Sequence, residues 1–173
     1  MKSKSLRLTN TSYALLALVN QLGEATPYEI KQAMDSSIEN FWPVPHTTAY
    51  EEPARLAGGG YMSVRQEEEG RRRKTYALTE EGRSALAAWA EDSTWTPPQM
   101  RDEGILRVFA GGDPFALFEQ RRSWHKEKLA ELEGYLEEVR GDASWHGSEL
   151  ALTAGIAYHR KMLEMLDEFD PST

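Results

Sequence analysis

Arg71, Arg72, Arg73 and Lys74 place four consecutive cations after Gly70 and directly before the strand-like segment Thr75–Thr79. Guanidinium and ammonium groups packed this densely can neutralise phosphates, and each neutralised phosphate releases condensed counterions. On the other side, Tyr61–Gln66 also reads as a strand, with Glu67–Gly70 as the turn. The spacing predicts a β-hairpin over 61–79 with a cationic tip, its glycine free to adopt φ > 0. A second group of polar residues, Thr47, Thr48 and Tyr50, stands at the start of a short helical segment. Their hydroxyls can bond phosphates or base edges. Threonines at a helix start are equally well explained as caps. Glu51 and Glu52 are poor neighbours for phosphate, so they either face away or read cytosine amino groups.

Other chemistry finds no support. With no cysteine there is no disulfide framework, thiol nucleophile or Cys-based zinc site. His46, His125, His146 and His159 are far apart and show no metal-ligand spacing. No Gly-rich phosphate loop, serine motif or dinucleotide fingerprint occurs. The residues thus point to no catalytic group, no metal, no cofactor and no enzyme. His125 and His159 fall on apolar seams, where histidine is usually a hydrogen-bonded core or interface residue.

Charge is unevenly distributed. The net charge is -8, yet residues 1–90 hold 11 cations and 11 anions, against 9 and 17 in residues 91–173. A neutral half with a clustered cationic hairpin can face phosphates while the acidic half stays turned away. The chain has no apolar run of about 18 residues and begins without the apolar core of a secretory signal. A cytoplasmic protein without a membrane partner is expected.

These residues need elements to position them. Thr11–Leu22 carries an apolar stripe at helical spacing and ends at Gly23. Thr26-Pro27-Tyr28-Glu29 signals a second helix by capping box and leading proline, running to about Ser36 with Tyr28, Ile30 and Met34 on its buried face. Pro43 and Pro45 force an extended path, and a third helix runs from near His46 toward Leu56. Pro53 falls inside it, so that helix should be kinked or about two turns long. Thr79-Glu80-Glu81-Gly82 starts a fourth helix, and Thr94–Gln99 reads as a linker. Beyond it come a short helix over Arg101–Ala110, a long one opened by Asp113-Pro114 and reaching Arg140, and a last one from Ser148 to Phe169. Phe118, Leu129, Leu132, Leu136 and Val139 form one seam, and Leu152, Ile156, Leu163 and Leu166 another. Such seams suit helices packed side by side, within a chain or between two. The aromatic residues around them should be mostly core or dimer interface.

Three helices followed by a hairpin is the order of a winged helix-turn-helix, in which the later helix enters the major groove. Tyr28-Glu29-Ile30, Thr48-Ala49-Tyr50, Gly60-Tyr61 and the run Arg72–Arg83 together resemble the PadR family of bacterial transcriptional regulators. Asp113-Pro114 and Gly155-Ile156-Ala157-Tyr158 are similar to the C-terminal region of the family's larger members. Pro45 and Pro53 depart from the family, which has a serine-like cap and a leucine there.

The resemblance implies a mainly α chain with a winged helix-turn-helix over 1–93 and a helical dimerisation and effector domain over 100–173. It further implies a homodimeric repressor that binds a palindromic double-stranded operator and is released by a small molecule. DNA contacts would come from Thr47, Thr48 and Tyr50 on the reading helix and from Arg71, Arg72, Arg73 and Lys74 on the wing. Phe118, Trp124 and Tyr158 are the candidates for a pocket taking a small aromatic or apolar effector. The rival from another class is a protein-interaction module that uses the acidic C-terminal helices and binds no DNA.

Overall fold

A computed structural model describes residues 6–67, 72–113, 115, 118–141 and 146–168. They fall into two compact units, residues 1–93 and 94–173.

In the first unit, helix α1 (Asn10–Leu22) opens on a capping box. The Thr9 hydroxyl accepts from the Ser12 amide and the Ser12 hydroxyl accepts from the Thr9 amide. Gly23, at φ 75°, closes the helix in the left-handed region that favours glycine. Strand β1 (Glu24–Ala25) follows, then α2 (Pro27–Ser37) with the expected capping box of Thr26 and Glu29. Ile30 and Met34 are buried, but Tyr28 is 60% exposed, contrary to expectation. At about 100° per residue, Tyr28 stands about 200° from Ile30, on the other side of the helix.

Of the two expectations for the third helix, kinked or about two turns long, the second is corrected: α3 (Thr48–Gly58) spans 11 residues, about three turns, and runs through Pro53. Proline removes one amide donor to the Ala49 carbonyl. Its ring, however, is fully buried on the inward stripe of Ala49, Pro53 and Leu56. The apolar surface so removed from water offsets the lost bond.

Strands β2 (Met62–Gln66) and β3 (Lys74–Leu78) form the expected antiparallel hairpin, pairing Met62 with Leu78 and Gln66 with Lys74. β1 joins the other edge of β3, giving the order β1-β3-β2. Helix α4 (Glu80–Ala90) is capped by Thr79, whose hydroxyl accepts from the Gly82 amide and donates to the Gly60 carbonyl. A Cβ at Gly82 would stand 2.0 Å from the Tyr61 carbonyl oxygen, so only glycine lets α4 lie this close to the start of the hairpin. Arg83 donates to the Leu78 carbonyl at 2.9 Å. These contacts explain why Thr79–Arg83 is so distinctive a sequence: Thr79, Gly82 and Arg83 each meet a fixed backbone neighbour. Leu15, Leu16, Val19, Ile30, Leu56, Met62, Tyr76 and Leu78 meet in one core.

In the second unit, Asp102 caps α5 (Glu103–Phe109) and holds Arg121 by two 2.7 Å bonds. The long helix α6 (Phe118–Val139) is described from Phe118 onward, and the opening expected at Asp113-Pro114 falls partly outside the described residues. The Asp113 carboxylate accepts from the Phe115 amide at 2.9 Å, the bond an aspartate makes at a turn or a helix start. Pro114 lies outside the described residues. Helix α7 (His146–Glu168) runs antiparallel to α6: Arg122 pairs with Asp167 at one end, and Leu132 packs with Leu152 and Ile156 toward the other. Of the expected seam residues, Leu132, Leu152, Ile156 and Leu166 are buried, whereas Phe118 and Leu163 are half-buried.

Candidate nucleic-acid interface

Four helix starts in the first unit carry a threonine at the capping position. Thr9, Thr26 and Thr79 each accept a backbone amide through the side chain. Thr47 does not: its backbone is already helical, at φ -58° and ψ -26°, and its hydroxyl makes no capping bond. The cause lies upstream, in the turn that Pro45 and His46 make before the helix. The Pro45 carbonyl accepts from the Thr48 amide at 2.9 Å, and the His46 carbonyl from the Ala49 amide at 3.2 Å. The amides that a cap would normally serve are thus satisfied by backbone, leaving the Thr47 hydroxyl exposed and unused. Tyr50 is 51% exposed and Thr48 half-buried on the same first turn. All three candidates therefore stand together at the N-terminal end of α3, the end from which such helices contact bases.

The adjacent glutamates have opposite surroundings. Glu52 is clamped by Arg55, whose Nε donates at 2.7 Å and whose other nitrogens reach the Ser12 hydroxyl at 2.8 Å and the Arg7 carbonyl at 3.3 Å. Burial works to raise the Glu52 pKa, but the hydrogen bonds from Arg55 and Ser12 outweigh it and hold the carboxyl below its usual range. The clamp ties α3 to α1. Glu51 is exposed and makes no ion pair with any described residue.

On the hairpin, Arg72, Arg73 and Lys74 are all exposed, while Arg71 and Gly70 lie outside the described residues. Among the described hairpin residues, a positive φ occurs at Arg72, at 48°. The Glu67 amide donates to the Arg73 carbonyl at 3.0 Å, closing the end of the ladder. Alternation puts Lys74 on the face of Tyr76 and Leu78, with Thr75 and Ala77 on the other. The Glu29 carboxyl is held low mainly by the Thr26 amide and hydroxyl, and the charge of Arg73 adds to this.

The candidate effector residues divide. Trp124 and Tyr158 meet around a buried histidine pair, each within 6.0 Å of the His125 ring. Phe118 instead packs edge-on against Phe115 at 5.2 Å. An open concavity of about 320 Å³ lies beside Trp124, lined also by Glu103, Gly104, Arg107, Gln120 and Arg121, and neither Phe118 nor Tyr158 reaches it. Sequence reading missed Arg107 and Arg121 because both are ordinary helix-surface cations by pattern. The His125 and His159 Nδ1 atoms are 2.8 Å apart, so in a neutral pair one ring donates and the other accepts, with opposite tautomers. Burial, aided by His159 and Arg121, pushes His125 down to about 4, and burial with Lys128 lowers His159. Among the described residues no group of three or more His, Cys, Asp or Glu could hold a metal ion, and no helix is long and apolar enough to cross a membrane.

Residues 15–88 match the family model described as "Transcriptional regulator PadR-like family". The chain is 26% identical over 138 residues to the negative transcriptional regulator PadR of Bacillus subtilis, covering 76% of this chain and 75% of that protein. Its fold superposes on the crystal structure of Bacillus subtilis PadR in complex with operator DNA with a TM-score of 0.77, at 25% identity, over 92% of this chain and 96% of that one. The same protein in complex with p-coumaric acid gives a TM-score of 0.70 at 22% identity, over 94% and 96% of the two chains. The resemblance carried by Tyr28–Ile30, Thr48–Tyr50 and Arg72–Arg83 is borne out, as is the mainly helical, winged-helix fold. The matched family and relatives are transcriptional regulators, not enzymes.

Proposed function

We propose that this chain, whose residues 15–88 form a PadR-like domain, is a cytoplasmic homodimeric repressor that binds a palindromic DNA operator and is released by a small aromatic effector. The observation that carries the reading is the start of α3. An unused Thr47 hydroxyl and an exposed Tyr50 stand at the end of a helix whose other face is anchored in the core, in the same unit as an exposed cationic hairpin. Bacillus subtilis PadR, of like fold, is a negative regulator with structures on operator DNA and with p-coumaric acid. Thr47, Thr48 and Tyr50 supply base-edge and phosphate contacts, and Arg71, Arg72, Arg73 and Lys74 supply phosphate contacts from the wing. The domain division follows: 1–93 binds DNA, and 100–173 pairs the two copies.

The second unit supports pairing by what it leaves uncovered. Trp95, Met100, Leu106 and Phe109 are 62–87% exposed. Side chains of this size contribute strongly when an interface takes them out of water. The concavity beside Trp124 suits a planar ligand that stacks on the indole, and the two arginines that line it are already paired, Arg107 with Glu103 and Arg121 with Asp102. A ligand with different affinity for two spacings of the DNA-binding units shifts the population between them.

A footprint on the chain's own promoter tests the reading. Dyad-symmetric protection is expected, with half-sites one helical turn or a multiple apart, salt-dependent affinity, and release by an aromatic acid. Partner capture without duplex binding would replace it with the interaction-module reading.

A further inference from the structure

From the two adjacent glutamates we infer that Glu51 is a specificity-determining residue, selecting a cytosine at one position of each operator half-site. The inference rests on the reading of α3 as the helix that enters the major groove. At about 100° per residue, Glu51 stands about 200° around α3 from the buried Ala49, at the middle of the outward face. Its neighbours on that face are Thr47, Ala54 and Gly58, all exposed and all small, and Arg55, whose guanidinium is turned to Glu52 and Ser12. Glu51 is therefore the side chain projecting furthest along the line by which this helix can approach a groove.

The charge of Glu51 narrows its target. Glu52 is spent on Arg55 and Ser12, whereas the exposed Glu51 has no cation bound to it among the described residues. A carboxylate accepts hydrogen bonds and is repelled by phosphate, so within a protein–DNA contact it must meet a base donor. The major groove offers two, the amino groups of cytosine N4 and adenine N6. Adenine presents the N7 acceptor beside its donor and guanine presents only acceptors, and both set a lone pair against the carboxylate. Cytosine presents its donor with no competing acceptor.

Selection of binding sites from randomised duplexes by the full-length protein tests this, with Glu51→Gln and Glu51→Ala alongside. The wild type is expected to enrich a dyad motif with cytosine at one fixed position per half-site, replacing which costs about five- to tenfold in affinity. Glu51→Gln is expected to move the preference at that position to adenine, since a carboxamide matches the N6/N7 pair. Glu51→Ala is expected to erase the preference there while the rest of the motif, the salt dependence and the thermal melt stay as they are. A motif that keeps its cytosine in both variants, or never has one, overturns the inference and leaves the regulator standing. A wild type that enriches no motif removes the DNA-reading function and this inference with it.

Discussion

Residues 1–93 pack around one closed core, in which Leu15, Leu16, Val19, Ile30 and Leu56 are all fully hidden from solvent. Residues 94–173 do so only along the seam between α6 and α7, while α5 buries none of its seven residues and shows Leu106 and Phe109 to solvent. The polar surface differs in the opposite sense. The first unit leaves cations exposed at Arg72, Arg73 and Lys74, whereas the second compensates Arg107, Arg121 and Arg122 with Glu103, Asp102 and Asp167. Open cations beside a closed core suit the polar, charged partner proposed for the first unit. Paired arginines beside exposed apolar side chains suit the second copy and the aromatic ligand proposed for the second unit.

The largest expected effect would break the first half of that comparison. Arg72→Ala with Arg73→Ala should flatten the slope of log affinity against log salt by roughly two to four units per dimer, on specific and random duplexes alike. Each phosphate that the wing ceases to neutralise takes about 0.9 from that slope. An unchanged salt titration would mean the wing does not touch DNA. Breaking the second half calls for charge on α5. Leu106→Asp with Phe109→Asp should weaken self-association at least about a hundredfold, since each side chain contributes roughly 1.5–3 kcal/mol when buried. Light scattering should then report a monomer at micromolar concentration with helical content unchanged. A mass equal to that of the wild type places the interface elsewhere.

Gly82→Ala sharpens the comparison by acting on one unit alone. A methyl group driven against the Tyr61 carbonyl should destabilise the first unit by about 2–3 kcal/mol. Denaturant melts followed at a probe in each unit should show the loss in the first only. The second unit has its own signature in acid. His125 is held neutral down to about 4 when folded, whereas an unfolded histidine takes up its proton near 6.5. The unfolded chain therefore binds more protons across that interval, and stability present above pH 6.5 is lost as pH falls toward 4. Asp102, held down to about 2 by Arg121, gives up its contribution only below about pH 4, so the two windows separate. Melting of the second unit should fall across the upper window in the wild type and fall less in His125→Leu. Pro53→Leu is the smallest effect. It restores the donor to the Ala49 carbonyl but crowds a closed core, so the change should stay within about 1 kcal/mol of zero. A gain near 3 kcal/mol would show that the core has room for leucine.

Much of the fold was legible because its signals are local. The capping box at Thr26 and Glu29, the stop at Gly23, the hairpin and the cap at Thr79 are each decided within a few residues of chain, and each is present as read. Strand β1 was not legible, since two residues show no alternation and its pairing partners, Tyr76 and Ala77, lie far away in sequence. Tyr28 misled for a related reason: a tyrosine beside a helix start looks apolar, and only the angular position of the core shows it facing solvent. Pro53 misled on the length of α3 because its cost is local and its compensation is not.

The candidate site divides in the same way. The amino-acid sequence determined which groups are available: four cations after a glycine, hydroxyls at the start of the third helix, two glutamates side by side, and two histidines on apolar seams. Tertiary structure decided which of them are free to act. Arg55 takes Glu52 and leaves Glu51, the turn at Pro45–Thr47 takes over the capping task and leaves the Thr47 hydroxyl, and His125 meets His159 across two helices. Residue type sets what a side chain can bond. Whether the bond is already made depends on neighbours brought close by folding, and for Arg55 and Ser12, or for the two histidines, those neighbours are more than thirty positions apart.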